Sequence, residues 1–285
     1  MPARNPSAAK DRTPARQSRE TTITSRENHW LKVFRAALQS SHHEDSRVGL
    51  EGTRLVAEAV RSGLAIEAIL ASTMAERALA PLLAELDRPT LVLRTTDKLF
   101  ASVAGTETPQ GIAALVKPRQ FAFDDLLHGV PLVAFLAGVQ DPGNVGTILR
   151  SAEALGASGA IAARGTAHPL APKAMRASAG SALRLPIVSG VAIPVALTQL
   201  RVSGVKIVAA TSSSNPAALL PDALDFRAPI ALVIGNEGGG LPAEVERSAD
   251  ALVRIPLAEP VDSLNAAVAA SLLLYEAARQ RRGRK

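Results

Sequence analysis

Leu132-Val-Ala-Phe-Leu136, followed by Gly138-Val-Gln-Asp-Pro-Gly-Asn-Val-Gly-Thr-Ile-Leu-Arg150, decides the fold class of this 285-residue chain. A short continuous apolar run, a turn rich in Gly, Asp and Pro, and apolar residues recurring every three to four positions read as strand, loop and helix. Strands that are apolar on both faces belong to parallel sheets covered by helices on both sides. Ala160–Ala163, Val205–Ala209, Ile230–Ile234 and Leu252–Ile255 repeat the strand pattern; Val145–Leu155, Ala192–Arg201 and Leu264–Arg281 read as helices. Residues 131–285 are therefore expected to form an open α/β domain with a parallel sheet.

Upstream, the same alternation recurs on a smaller scale. Glu27–Gln39, Thr53–Arg61 and Met74–Leu86 read as helices, and Val48–Glu51, Ile66–Ala71, Thr90–Leu93 and Ile112–Val116 as strands. Residues 23–116 are expected to be a separate small α/β domain. Pro118, Phe121, Phe123, Asp124 and Asp125 break the pattern, so 117–130 is expected to be a linker. Residues 1–22, polar and basic, are expected to be a disordered head.

Composition narrows the chemistry. At 47% hydrophobic residues the chain is not disordered as a whole. With no cysteine, disulfides and thiolate metal sites are excluded. The histidines at 29, 42, 43, 128 and 168 form no spaced cluster, so no metal is expected. The net charge of +6 is unevenly placed: residues 1–22 carry +3, the last seven +5, and the body is left at −2. Nucleic-acid affinity is thus suggested for the ends, not for a basic groove. The longest apolar stretch, Ala266–Tyr275, is too short to span a bilayer, and no signal peptide is visible, so a soluble cytoplasmic protein is expected.

Ligands of open α/β sheets bind beyond the carboxyl ends of strands, which directs attention to three loops. In the first, Asn144 is placed to cap the helix that starts at Val145. Arg150 points away from the apolar face of Val145, Ile148, Leu149, Ala152 and Leu155. It is either a solubilising residue or a planar fork aimed at a phosphate or carboxylate. In the second, Gly235-Asn-Glu-Gly-Gly-Gly-Leu-Pro242, the glycines at 238–240 imply backbone that closely approaches a ligand or another strand. No Gly-Lys-Ser/Thr follows, which excludes a P-loop. A dinucleotide fingerprint fits poorly, because Glu237 would repel a pyrophosphate while suiting a cation or a hydroxyl donor. In the third, Ser263 or Asp262 is a candidate N-cap, and Asn265, a poor helix former, needs a partner. The helix that follows is apolar nearly all round and suits burial against protein, including a subunit contact.

Together these loops resemble the SpoU–TrmH family of RNA ribose 2′-O-methyltransferases. Asn144 to Arg150 is similar to the family's Asn-x-Gly-x-Ile-x-Arg motif, Ile234-Gly-Asn-Glu-Gly-Gly-Gly-Leu241 to its glycine-rich motif, and Ile255-Pro256 with Ser263-Leu-Asn265 to its third. Leu50-Glu-Gly-Thr-Arg54 and Thr108-Pro-Gln-Gly-Ile112 look like the family's substrate domain, itself similar to a ribosomal protein. The resemblance implies a deep trefoil knot in the catalytic domain, an exception to the rule against threaded chains. It implies S-adenosylmethionine held by Ile234, Gly235, Asn236, Gly238, Ile255, Leu257 and Leu264. It implies a homodimer packed through the catalytic domains, and RNA as substrate, ribosomal RNA first and transfer RNA second. Arg150 would serve proton removal from the ribose hydroxyl. A free guanidinium holds its proton beyond about pH 12, so orienting the ribose through its phosphate is the other role open to it. Asn144, Glu237, Ser263 and Asn265 would hold the hydroxyl, the arginine and the loops. Two further readings are an RNA-binding protein without activity and a nicotinamide-dependent oxidoreductase.

Overall fold

The computed structural model describes residues 19–39, 47–211, 216–236 and 238–282. The smaller domain is built from β1 (Arg19–Thr22), α1 (His29–Gln39), β2 (Val48–Glu51), α2 (Thr53–Arg61), β3 (Ala65–Ser72), α3 (Glu76–Glu85), β4 (Leu91–Thr95), α4 (Asp97–Ala101) and β5 (Ile112–Lys117). Its mixed sheet has the order β1-β4-β3-β5-β2. One boundary is corrected. Arg19–Thr22, expected in the disordered head, is an edge strand paired in parallel with Leu91–Arg94. All four of its residues are exposed, so it carries no apolar signal. It is held by ladder bonds and by Glu20, which accepts from Arg94 Nε at 2.9 Å. Hydrogen bonds from Arg94 to Glu76 and then to Glu20 raise the arginine's pKa above its ordinary value.

The larger domain comprises β6 (Leu132–Leu136), α5 (Pro142–Ala154), β7 (Gly159–Ala163), α6 (Pro172–Ser178), α7 (Ser181–Arg184), β8 (Ile187–Val191), α8 (Ile193–Val202), β9 (Lys206–Ala210), β10 (Ile230–Ile234), α9 (Ala243–Ser248), β11 (Ala251–Val253) and α10 (Ala266–Arg282). Its six strands are all parallel, in the order β11-β9-β10-β6-β7-β8. β6, β7 and β10 are wholly buried, which is why their sequences are unbroken apolar runs. β8 is an edge strand interrupted by exposed Ser189 and Gly190, and for that reason has no such run. The linker is folded onto this sheet: Leu126, in a short 3₁₀ turn, is fully buried against Gly159.

Two arginines hold the architecture together. Arg184 of α7 donates from Nε and Nη2 to the two carboxylate oxygens of Glu153 in α5, and from Nη1 to Glu58 of α2, all at 2.7 Å. It thereby joins the two domains. Burial, the largest single influence, would raise the Glu153 pKa, but the Arg184 guanidinium and the Ser181 hydroxyl together outweigh it and hold the carboxyl below its ordinary value. Arg281, near the end of α10, donates to the carbonyls of Phe226 (2.8 Å), Val130 (2.7 Å), Pro131 (2.9 Å) and Ala228 (2.8 Å). It pins the last helix to the start of β6 and the approach to β10.

Candidate active site

The loops that leave β9, β10 and β11 enclose a cavity of about 490 Å³ at the carboxyl edge of the sheet. Every residue expected to hold a cofactor lines it: Ile234, Gly235, Asn236, Gly238, Ile255, Leu257 and Leu264, with Ser263 among them. Further wall comes from Thr211 after β9, Glu246 of α9, Asp262 of the third loop, and Ala269 and Leu273 of α10, among others. Glu246 was not legible as a site residue, because α9 is a single short turn after Pro242 whose only sequence sign is acidic residues in its first turn.

The glycine loop folds back on itself. Asn236 and Gly240 exchange two backbone hydrogen bonds of 3.0 Å, and Asn236 Oδ1 accepts from Gly238 N at 3.1 Å. A Cβ on Gly235 would lie 2.4 Å from the Gly240 carbonyl oxygen. Gly235 is thus required by the closure of its own loop, the strand-approach alternative, and not by a ligand. Gly238 and Gly239 differ: a Cβ there would meet nothing within 4 Å. Glu237 lies outside the described residues.

The start of α5 departs from expectation. Asp141, not Asn144, is the N-cap: its Oδ1 accepts from Asn144 N at 2.9 Å, with Pro142 in the first helical turn. Lys173 Nζ lies 2.6 Å from the other carboxylate oxygen. Lys173, and then the Asn144 N–H, hold the Asp141 carboxyl below its ordinary pKa. The Asn144 side chain is left to accept from Asn265 Nδ2 at 3.0 Å. Asn265 Oδ1 meanwhile accepts from Ala267 N and Val268 N at 3.0 and 3.3 Å. Asn265 therefore caps α10 in place of Ser263 or Asp262, and it ties the first loop to the third. Ser151 Oγ and Ser271 Oγ add a second tie at 2.7 Å.

Asn144 and Asn265 line a shallow depression beside the cavity, together with Thr147 and Leu272. Arg150 lines neither. It is exposed on α5, six residues or about 9 Å of helix beyond Asn144. Among the described residues its guanidinium has no hydrogen-bond or ion-pair partner. Gly146, in the same motif, lies against α6, where a Cβ would come within 2.2 Å of the Ala174 carbonyl oxygen. Close helix packing accounts for that glycine.

The lining of the cavity is apolar wall, backbone and two carboxylates, Glu246 and Asp262, with no lysine or arginine among the described residues. Such a site accepts a cation and resists a pyrophosphate, which disfavours the oxidoreductase reading. Its volume lies in the ordinary range for cofactor sites. S-adenosylmethionine, with its sulfonium and ammonium charges, fits this donor set, and open space beside Gly238 and Gly239 leaves room for it.

Known proteins agree with this geometry. The SpoU rRNA Methylase family matches residues 131–275, and an MRM3-like substrate binding domain matches residues 41–114. A tRNA/rRNA methyltransferase of Synechocystis, itself uncharacterised, is 32% identical over 91% of this chain and 94% of its own length. The 23S rRNA (guanosine(2553)-2′-O)-methyltransferase RlmP of Bacillus subtilis is 32% identical over 79% of this chain and 86% of its own. The crystal structure of an AdoMet-bound rRNA methyltransferase from Sinorhizobium meliloti is 33% identical and superposes with a TM-score of 0.80, over 91% of this chain and 98% of that one. With its parallel six-stranded domain, its three motif loops and its full-length relatives, the chain belongs to the SpoU rRNA methylase family.

Proposed function

We propose that the protein methylates a ribose 2′-hydroxyl of ribosomal RNA, acting as a homodimer. Its general activity follows from the family: it is an S-adenosylmethionine-dependent RNA 2′-O-methyltransferase. The observation that carries the reading is the cavity beyond β10, lined by all seven expected cofactor residues and by carboxylates without a balancing cation. Ribosomal RNA is preferred over transfer RNA because RlmP and the Sinorhizobium meliloti protein, which align with most of this chain, are named for ribosomal RNA. A cytoplasmic location belongs to the same proposal. Among the described residues no helix is long and apolar enough to cross a membrane.

S-adenosylmethionine, when bound, supplies a methyl group activated on a sulfonium. The chain's own residues do the rest. Ile234, Leu257 and Leu264 exclude water from the cavity, while the Glu246 and Asp262 carboxylates offer negative charge to a cationic ligand. Asn144 and Asn265, mutually bonded, hold the start of α5 against the start of α10. Arg150 engages the RNA at the target ribose, either taking its proton or orienting it through a phosphate; positioning and proton removal are the two ways to speed attack by a weak hydroxyl nucleophile.

Dimerisation is supported by the outer face of α10. Val268, Leu272 and Tyr275 recur at four- and three-residue spacing and are 48%, 47% and 55% exposed. Covering them with a second copy would bury an otherwise solvated apolar stripe beside Asn144 and Asn265. Because Arg150 lines neither of the two cavities at the motif loops of its own protomer, a second copy would also bring another set of loops toward it. The deep knot belongs to the same proposal; its support is the return of the segment after β11, at the sheet's edge, to pack beside β10 and α5.

The test is incubation of the purified protein with labelled S-adenosylmethionine and RNA from cells lacking it. Label on a ribose 2′-oxygen of ribosomal RNA is expected. RNA binding without transfer would refute the enzyme reading in favour of an inactive binder, and label on transfer RNA alone would refute the substrate.

A further inference from the structure

The carboxyl edge of the catalytic sheet carries a second hollow, beyond β7 and β8, of about 690 Å³. Its floor is small, formed by Ala162, Ala163, Gly165 and Gly190, and its polar groups are Arg164, Thr166, His168 and Ser189. A smaller cavity of about 270 Å³ adjoins it, walled by Arg119 and Phe121 of the linker; His168, Pro169 and Ser189 line both. Neither lining contains an Asp or Glu among the described residues, whereas the cofactor cavity has two carboxylates and no base. Asp141, next to Pro142 in the notch wall, is already matched by Lys173. Arg164 is exposed, and among the described residues its guanidinium has no partner. Arg119 uses Nη2 on the Ser62 carbonyl at 2.6 Å, which leaves its other N–H groups outward.

The edge is thus divided by charge, an acid-lined cavity at β9–β11 and a base-lined notch at β7–β8. In the order β10-β6-β7-β8, with strands about 4.8 Å apart, the notch lies about 10–15 Å along the edge from β10. That is too far for the ribose being methylated and suits nucleotides next to it on the same strand.

Building on the RNA-methylation reading above, we propose that this notch binds the nucleotides flanking the target. Arg164 contacts a backbone phosphate, and the pocket between Phe121 and His168 takes an unstacked base. Arginine–phosphate contacts fix register, and single-stranded RNA is read by splaying bases onto aromatic side chains. The notch would set how the strand lies across the cofactor cavity, and so which ribose is presented.

The experiment compares wild type with Arg164→Ala and Ser189→Trp, the second filling the notch without removing charge. It uses an RNA fragment that wild type methylates, and measures RNA affinity over a salt series, KM for RNA, single-turnover rate at saturating RNA, and S-adenosylmethionine affinity by calorimetry. Arg164→Ala is expected to weaken RNA binding about tenfold and to reduce the slope of log K against log salt by about 0.7, one single-strand phosphate. Ser189→Trp is expected to raise KM for RNA with the slope unchanged. Cofactor affinity and saturated turnover should stay at wild-type values in both, which also reports that both fold. Wild-type RNA affinity, slope and KM in both variants would overturn the notch while leaving the methyltransferase reading intact. Failure of wild type itself to transfer methyl to RNA would overturn both.

Discussion

Replacing Arg281 with methionine keeps an apolar stem and deletes the guanidinium that serves four carbonyl groups. Hydrogen bonds from a charged donor contribute about 1.5–3 kcal/mol each. They are not additive around one group, and the exposed Val130 would rehydrate its carbonyl. A net loss of about 3 kcal/mol is therefore expected. At about 2–4 °C per kcal/mol for a domain of this size, the catalytic domain should melt about 6–12 °C lower in scanning calorimetry of the full chain. The same substitution bears on RNA. The sequence places five positive charges in the last seven residues, but Arg281 is consumed by carbonyls, and Arg279 donates to both carboxylate oxygens of Glu276 at 2.7 Å. Deleting residues 279–285 would remove a structural anchor as well as charge, so Arg281→Met is the cleaner probe. Below its melting point, its salt dependence of RNA binding should equal that of wild type. A melt within about 1 °C of wild type, together with a flatter salt slope, would refute the anchor and return Arg281 to the RNA surface.

Arg150→Ala should lower single-turnover methylation by about 10²–10⁴-fold while leaving stability within about 0.5 kcal/mol; an Arg150→Lys variant that recovers activity as pH rises points to proton removal, and one that binds RNA and donor but stays inactive at every pH points to orientation. Its neutral control is Arg227→Ala, an exposed arginine paired with Asp225, since Arg164 lines the notch. Gly239→Val should weaken S-adenosylmethionine binding in a protein that melts normally, whereas Gly235→Ala, with its Cβ driven toward the Gly240 carbonyl, should lower the melting temperature as well; equal behaviour of the two in calorimetry and thermal melts would contradict the loop geometry. Leu272→Asp places a charge in the exposed stripe of α10 and should shift sedimentation from dimer to monomer; unchanged sedimentation would remove α10 from the interface.

The parallel core was legible because buried strands leave an unbroken apolar trace: Leu132–Leu136 and Ile230–Ile234 were read with their observed bounds. The edge strand Val48–Glu51 was read as well, because it too is buried along its length, but two other edge strands were not. Arg19–Thr22 is polar throughout and is held by main-chain bonds, and Ile187–Val191 is interrupted by a serine and a glycine. The cofactor loops were legible as motifs and as strand ends, yet the reason for each glycine was not, since packing decides it. Gly146 meets α6, and Gly235 meets Gly240. Caps were mislocated for a similar reason. Several side chains near α5 and α10 have the chemistry of a cap, and only the fold shows that Asp141 and Asn265 take the role, which frees Asn144 for a partner 121 residues away. The basic tail illustrates the limit of charge counting: what a cation does depends on whether it faces carbonyls or water.

The helix α5 has one further consequence. Near its start it is fastened to Asn265, on the loop that walls the cofactor cavity; near its end Glu153 is gripped by Arg184, whose third bond goes to Glu58 of the substrate domain. A stiff rod fastened at both ends works as a lever. An RNA that rocked the substrate domain by bearing on α2 would move the loop at the far end, and the work done there would be matched in reverse. By reciprocity, a bound cofactor would alter RNA affinity by the same factor by which RNA alters the cofactor's, and severing the Glu58–Arg184 grip would uncouple the two without touching either ligand.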